Sequence, residues 1–294
     1  MTTENNANNT QAQGKFPRWL KAVMPDGETY HNTAGILKNH GLVTVCQEAR
    51  CPNIGECWRR QTATFMILGE CCTRHCRFCA ITQNQKPLPP DPTEPERIAN
   101  AVRDMKLTYV VMTSVTRDDL PDGGAKHFVD CTNAIKSATQ QAKVEVLTPD
   151  FMGNKQAIQI VAASPIFVFN HNIEMVSRLY KQLRPEADYR RSLEVLRYAK
   201  TINPEIITKS GFMLGLGEEI SEVELLMADL REAGVTHLTI GQYLCAKEGR
   251  APVARYVHPD EFTMLRQKAL DIGFIYVDSA PLARSSYHAE RQLQ

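Results

Sequence analysis

Two groups of three cysteines stand close together in the first third of the chain, and each has the composition of a metal site. Cys72, Cys76 and Cys79 lie in CTRHCRFC, spaced C-x-x-x-C-x-x-C, directly after an apolar run that reads as a strand, so three thiolates converge on one loop. A four-iron cluster has four iron corners, and three cysteines leave one of them open to a small molecule. Structural zinc wants a fourth protein ligand, which His75 could supply, and is more often held by paired cysteines. Cys46, Cys51 and Cys57, in VCQEARCPNIGECW, form the second set, spaced C-x-x-x-x-C-x-x-x-x-x-C. Alone they suit either a zinc knot with a distant fourth ligand or an iron-sulfur cluster; the neighbouring set favours iron.

Seven of the nine cysteines fall between Cys46 and Cys79, a crowding that core packing does not produce. The number is odd, the chain is 294 residues long, and no export signal opens it, so reduced thiolates are a better reading than disulfides. Cys71 adjoins Cys72, and since neighbouring side chains point apart it is not read as a ligand. Cys131 falls on a helical pattern and suits a small buried hydrophobe, while Cys245 lies in a loop.

These sites need a scaffold. The chain is 43% hydrophobic, enough for one substantial core. Lys and Arg number 34 against 33 acids, which gives no global case for nucleic acid or an anionic membrane as partner. No apolar run is long enough to span a bilayer. The opening MTTENNANNTQAQGKF lacks secretory and organellar patterns and reads as a disordered tail, so a cytoplasmic protein is expected.

From Thr62 onward, apolar runs (TATFMILG, YVVMTSV, KVEVLTP, PIFVFNHN, EIITKSGFML, HLTIGQYL, FIYVDSA) alternate with helical periodicity, giving six to seven strands. The runs are continuous rather than alternating, as parallel strands covered by helices require. The fold class is therefore α/β, a partial TIM-like (β/α)6 barrel. Polar residues collect where strands are expected to end: Thr113 and Ser114, Thr148 and Asp150, Asn170 to Asn172, Lys209 and Ser210, Gly241 and Gln242. In α/β barrels that rim carries the active site. The expected organisation is a tail over 1–17, an amino-terminal extension with the second cysteine set over 18–61, the barrel over 62–281 and a carboxy-terminal segment over 282–294. The stretch from Gln85 to Pro95, with five prolines, stiffens a loop and is not expected to enter a helix.

Weaker motifs stand at the rim. TSVTRDDLPDGGAKHF carries a Gly pair that either lets backbone approach a ligand or simply makes a turn. FNHNIEMVSRLYKQLRP puts Asn172 and Glu174 at a strand end, where a carboxylate can accept from ribose hydroxyls or an ammonium. Arg184 could pair with a carboxylate or be a solvated charge late in a helix. TKSGFMLGLGE carries Lys209 but no dinucleotide-binding glycine pattern.

The first cysteine spacing, with Phe78 before its last cysteine, resembles the signature of radical S-adenosylmethionine enzymes. CPNIGECW and the carboxy-terminal RSSYHA resemble, within that superfamily, the lipoyl synthase family, and the likeness runs from about Arg18 to Ala289. The resemblance implies two 4Fe-4S clusters and S-adenosyl-L-methionine (SAM). One cluster, on Cys72, Cys76 and Cys79, chelates the methionine moiety and delivers the electron that releases a 5′-deoxyadenosyl radical. The auxiliary cluster, on Cys46, Cys51, Cys57 and Ser286 rather than Ser285, is consumed as sulfur donor. Phe78, Thr113, Ser114, Asn172, Glu174, Arg184 and Lys209 are implied near SAM.

The implied reaction inserts two sulfur atoms at C6 and C8 of an octanoyl chain on a lysine of a lipoyl carrier domain, whose unactivated C–H bonds give polar chemistry no handle. Implied partners are octanoylated carrier domains (2-oxoacid dehydrogenase E2 subunits and the glycine cleavage H protein), an electron donor such as flavodoxin or ferredoxin, and an iron-sulfur cluster carrier. Three departures from the family pattern are Cys71 for an aliphatic residue, Met175 for a usual Thr, and the CAKEGRA loop. Two alternatives remain: another two-cluster radical SAM enzyme, or a non-catalytic zinc-binding module.

Overall fold

A computed structural model describes residues 16–84 and 86–293. The expected tail therefore lies outside the described residues apart from Phe16 and Pro17, as do Gln85 of the proline-rich stretch and Gln294.

The amino-terminal segment holds three helices, α1 (Glu28–Asn39), α2 (Val45–Glu48) and α3 (Ile54–Arg59). β1 (Thr64–Ile67) then opens the sheet, and the cysteine loop after it forms a two-stranded ribbon of β2 (Cys71–Cys72) and β3 (Thr82–Gln83). The repeat continues with α4 (Glu94–Asp104), β4 (Tyr109–Ser114), α5 (Ala125–Ala138), β5 (Lys143–Leu147), α6 (Lys155–Ala162) and β6 (Val168–Asn170). It ends with α7 (Tyr180–Leu183), α8 (Tyr189–Ile202), β7 (Ile207–Leu214), α9 (Ile220–Glu232), β8 (His237–Gln242), α10 (Pro259–Asp271) and β9 (Tyr276–Ser279).

Seven strands pair in the order β1-β4-β5-β6-β7-β8-β9, every neighbour parallel. The first six are each followed by a covering helix and β9 by none, so the six expected β/α units are present with a seventh strand added. The sheet is the parallel array of a partial TIM-like barrel. Its strands are buried on both faces, which is why they read as continuous apolar runs.

Helix starts follow local chemistry. Asn154 caps α6 by accepting from Gln156 N–H at 3.0 Å, and Asp188 caps α8 by accepting from Arg191 N–H at 2.7 Å. Pro95 does enter a helix, contrary to expectation. It sits in the first turn of α4, where a missing N–H costs no hydrogen bond.

Two further differences bear on the site. Lys209 and Ser210 lie inside β7, which runs on to Leu214, and not at its end. Gly123 and Gly124, both at positive φ, form a turn against the core: a Cβ on Gly124 would stand 2.2 Å from Leu68 Cδ1. Their role is packing and not ligand approach. Among the described residues no helix is long and apolar enough to cross a membrane.

Candidate active site

The cysteine loop leaves β1 through a left-handed turn, with Leu68 at φ +67° and Gly69 at +87°. A non-glycine residue holds that conformation only where its surroundings over-determine it. Leu68 N–H donates to Glu94 Oε2 at 2.9 Å, and its carbonyl accepts from Arg117 Nη1 at 3.2 Å. His127 in turn holds Glu94 at 2.7 Å. Further along the loop, Thr73 N–H donates to Thr116 O at 3.0 Å. The buried Arg74 donates to both Asp118 oxygens at 2.6 and 2.9 Å and to Asp150 at 2.5 Å. Arg191 donates to the other Asp150 oxygen at 2.8 Å. Burial works to raise the Asp150 carboxyl, but the Arg74 guanidinium overcomes it and holds it well below the usual carboxylate range.

This anchored loop brings Cys72, Cys76 and Cys79 to the wall of a cavity of about 200 Å³ at the carboxy-terminal ends of β4 to β6. Phe78, Thr113, Ser114, Asn172, Glu174 and Arg184 share that wall. Six of the seven residues expected near SAM thus come together; Lys209 does not line the cavity. Ser114 Oγ is buried with no hydrogen-bond partner, an orphan facing a space that a polar ligand would fill. Glu174 sits at φ +70°, and its carboxyl is pushed up by burial against the pull of Arg184. Met175 packs into the core, 1% exposed, and has no place on the cavity wall.

His75 turns away and meets Glu186 at 2.9 Å, so it does not join the three thiols as a fourth ligand. Cys71 is also off the wall, as the alternation of β2 requires. Burial pushes the Cys76 thiol up to about 11 and Cys79 to about 12. Thiols held neutral in this way become thiolates only against a cation.

The second set gathers where α2 and α3 meet the carboxy-terminal segment. Cys46 and Cys57 line a small cavity with Ser286, Tyr109 and Thr64. Cys51 and Ser286 both line a larger, mostly apolar cavity of about 430 Å³, whose wall includes Cys79, Phe78, Asn172, Glu174 and Met213. Burial again raises the thiols, Cys46 to about 11 and Cys57 to about 12. Among the described residues, no three His, Cys, Asp or Glu side chains close up to the spacing of a single bound metal ion.

Residues 282–290 reach this place by crossing the middle of β7 and the end of β8. Gly211 and Gly241 make room: a Cβ on Gly241 would stand 2.3 Å from Ala283 O, and one on Gly211 2.9 Å from Ser285 Oγ. Ser285 Oγ donates to Asn172 Oδ1 at 2.8 Å; both serines line the larger cavity with Cys51, and Ser286 also lines the small one with Cys46 and Cys57. The amino-terminal segment grips the strap from the other side. Asn53 Nδ2 donates to Leu282 O at 2.7 Å, Tyr287 OH donates to Glu56 at 2.8 Å, and Arg60 pairs with Glu290. Lys209 donates to Ser285 O at 2.6 Å.

Sequence reasoning missed Arg74, Glu94, Arg117, Asp118, Glu145 and Arg191. Their signal was weak: charged residues in an α/β chain usually face water, and nothing local says that these are buried pairs.

Comparison with known proteins bears on the same residues. Residues 66–230 match the radical SAM superfamily, and residues 2–51 match the N-terminal domain of lipoyl synthase of the radical SAM family. A lipoyl synthase of Rubrobacter xylanophilus is 53% identical over 278 residues, 95% of this chain and 86% of that one. Those of Laribacter hongkongensis and Chromobacterium violaceum are 51% and 50% identical, covering 94% and 95% of this chain and 88% of each relative. Among solved structures, Streptococcus suis SuiB bound to its precursor peptide SuiA superposes with a TM-score of 0.58 at 13% identity, over 90% of this chain and 55% of that one. Methylornithine synthase superposes with a TM-score of 0.53 at 14% identity, over 74% and 71%. These two speak to the fold, the partial barrel. Similarity at half the residues over nearly the full length says more, and by it this chain belongs to the lipoyl synthase family of the radical SAM superfamily.

Proposed function

We propose that this chain is a cytoplasmic lipoyl synthase working with two 4Fe-4S clusters, one on Cys72, Cys76 and Cys79 and an auxiliary one on Cys46, Cys51, Cys57 and Ser286. It inserts two sulfur atoms at C6 and C8 of an octanoyl chain borne on a carrier-domain lysine. The observation that carries the reading is the larger cavity: Cys79 of one set and Cys51 of the other line a single, mostly apolar space, together with Glu174 and Asn172. An acyl chain lodged there has a radical source at one end and a sulfur source at the other.

The donor sets fit the groups. Three thiols on one cavity wall leave a cluster corner open to SAM, and the orphaned Ser114 hydroxyl offers a partner for a polar ligand beside it. Bound in this way, SAM and the clusters supply reductive cleavage to a 5′-deoxyadenosyl radical and sulfide for the new C–S bonds. The chain's own residues bind, orient and keep water out. Arg184 suits the methionine carboxylate, Glu174 and Asn172 suit ribose hydroxyls or the ammonium, and Phe78 presents an apolar face. Val45, Met66 and Ile81 line the walls with apolar surface that keeps solvent and its solutes out. A serine alkoxide is a hard, weakly held ligand for iron, which suits a corner that must open when sulfur leaves.

The partners are octanoylated lipoyl carrier domains, namely 2-oxoacid dehydrogenase E2 subunits and the glycine cleavage H protein. A flavodoxin or ferredoxin supplies electrons, and an iron-sulfur carrier restores the auxiliary cluster. The test is anaerobic reconstitution, then mass spectrometry of an octanoylated carrier peptide incubated with SAM and a strong reductant. Gain of two sulfurs with 5′-deoxyadenosine is the expected result. Formation of 5′-deoxyadenosine without sulfur insertion would replace the reading with another two-cluster radical enzyme.

A further inference from the structure

The RSSY strap, Arg284 to Tyr287, lines the cavities that hold Cys46, Cys51, Cys57 and Cys79, and part of its support is a polar group inside the barrel that the proposed reaction does not use. Lys209 and Glu145 are 2% and 0% exposed, and their charges meet at 3.0 Å. Such a pair recovers its desolvation cost only where its remaining hydrogen-bonding capacity is filled. Here the carboxy-terminal segment fills part of it. Lys209 Nζ donates to Ser285 O at 2.6 Å, and Gln292 Nε2 donates to Glu145 Oε2 at 2.6 Å. Tyr109 OH and Asn170 Nδ2 complete Glu145 at 2.7 and 2.9 Å. The strap is therefore held on both sides of Ser286. Asn172 fixes the Ser285 side chain as well, so the backbone just before Ser286 is pinned through one side-chain bond and one carbonyl bond.

We infer that Lys209 is a positioning residue for the fourth auxiliary ligand. With Glu145 behind it and Asn172 beside it, Lys209 seats the strap so that Ser286 reaches Cys46 and Cys57. The inference deepens the proposed function and rests on its assignment of Ser286. It gives Lys209 a task away from the SAM cavity, whose wall it does not share. The physical reason is that a lone serine is a weak iron ligand, and fixing the adjacent carbonyl beforehand removes most of the ordering entropy that such a bond would have to overcome.

The experiment uses the full chain as Lys209→Met and as Glu145→Gln/Lys209→Met, the second leaving no unpaired buried charge, beside Ser286→Ala. Before any iron is added, hydrogen exchange read by mass spectrometry over residues 282–290 is expected to rise about tenfold in both Lys209 variants, with α9 unchanged. After anaerobic reconstitution, the Mössbauer spectrum of the auxiliary cluster is expected to show the same altered iron corner as Ser286→Ala. Wild-type exchange and an unaltered iron corner in the double variant would overturn the inference. So would loss of SAM binding with the strap still protected, because Lys209 would then serve the cofactor. A wild-type chain that takes up only one cluster would overturn the functional reading instead, and exchange over the strap would still decide whether Lys209 seats it.

Discussion

Arg74 and Asp150 meet at 2.5 Å with both side chains out of solvent, and their bond joins the loop that carries Cys72, Cys76 and Cys79 to the end of β5. The loop's position thus depends on a buried charge pair. Arg74→Met leaves Asp150 with Arg191 and the Met152 N–H and is expected to cost about 3–5 kcal/mol of stability, as removal of one buried charged partner does. Urea unfolding of the iron-free chain measures it, and a loss under 1 kcal/mol would mean that the loop is held in some other way.

Acid should weaken the fold through its buried histidines. Burial keeps His171 neutral, pushing it down from 6.5 to about 4, and His237 moves likewise. The unfolded chain takes up these protons from about pH 6.5 downward, while the folded chain does not until about 4. Stability is therefore full above pH 6.5 and falls between 6.5 and 4, by on the order of 3 kcal/mol for His171. Unfolding midpoints of the iron-free chain at pH 7.5 and 4.5 should differ less in His171→Gln than in wild type.

Gly241→Ala tests the path of the strap without adding backbone strain, since Gly241 is not at positive φ. The new Cβ would fall 2.3 Å from Ala283 O and push the strap off β8. Bound iron after reconstitution is expected to drop to about half, the share of one cluster in two. Full iron content would show that the strap can shift and still serve.

The two cysteine sets should load separately. Cys72→Ala is expected to remove the cluster that cleaves SAM and spare the other, Cys57→Ala the reverse, and Cys71→Ala neither. Ser286→Cys should hold the auxiliary cluster more firmly and turn over less, because a thiolate is the softer and stronger ligand. Sulfur insertion at the wild-type rate in that variant would sink the idea of a labile serine corner.

Glu174→Gln keeps the shape of its side chain and removes its charge. SAM affinity of the reconstituted protein should fall about tenfold to a hundredfold, as loss of one charge-assisted hydrogen bond predicts. Equilibrium dialysis would measure it, and unchanged affinity would take Glu174 out of the binding set.

The cysteine spacings were legible in the sequence because each set's cysteines lie within a dozen residues, and six βα units were legible because their apolar periods are local. What sequence could not give were relationships across the fold. Lys209 looked like a rim residue because TKSG read as a strand end; its partners Glu145 and Ser285 stand 64 and 76 residues away. The helix α1 escaped notice because it starts at Glu28 after Gly27, which offers no side-chain cap. The Gly123–Gly124 pair had two readings, and only the position of Leu68 decides for packing.

The contact between Asn53 and Leu282 spans 229 residues, and those of Glu56 and Arg60 with Tyr287 and Glu290 span about as many. Cys46, Cys51 and Cys57 are thus made early on the ribosome, while the serine and strap that close their site are made after the whole barrel. Until then the three thiols have no lid, and closing so long a loop depends on a barrel already folded. The second cysteine pocket is in this sense a readout of barrel completion: a chain stopped short of Leu282 has all seven strands and still presents a pocket with one side missing.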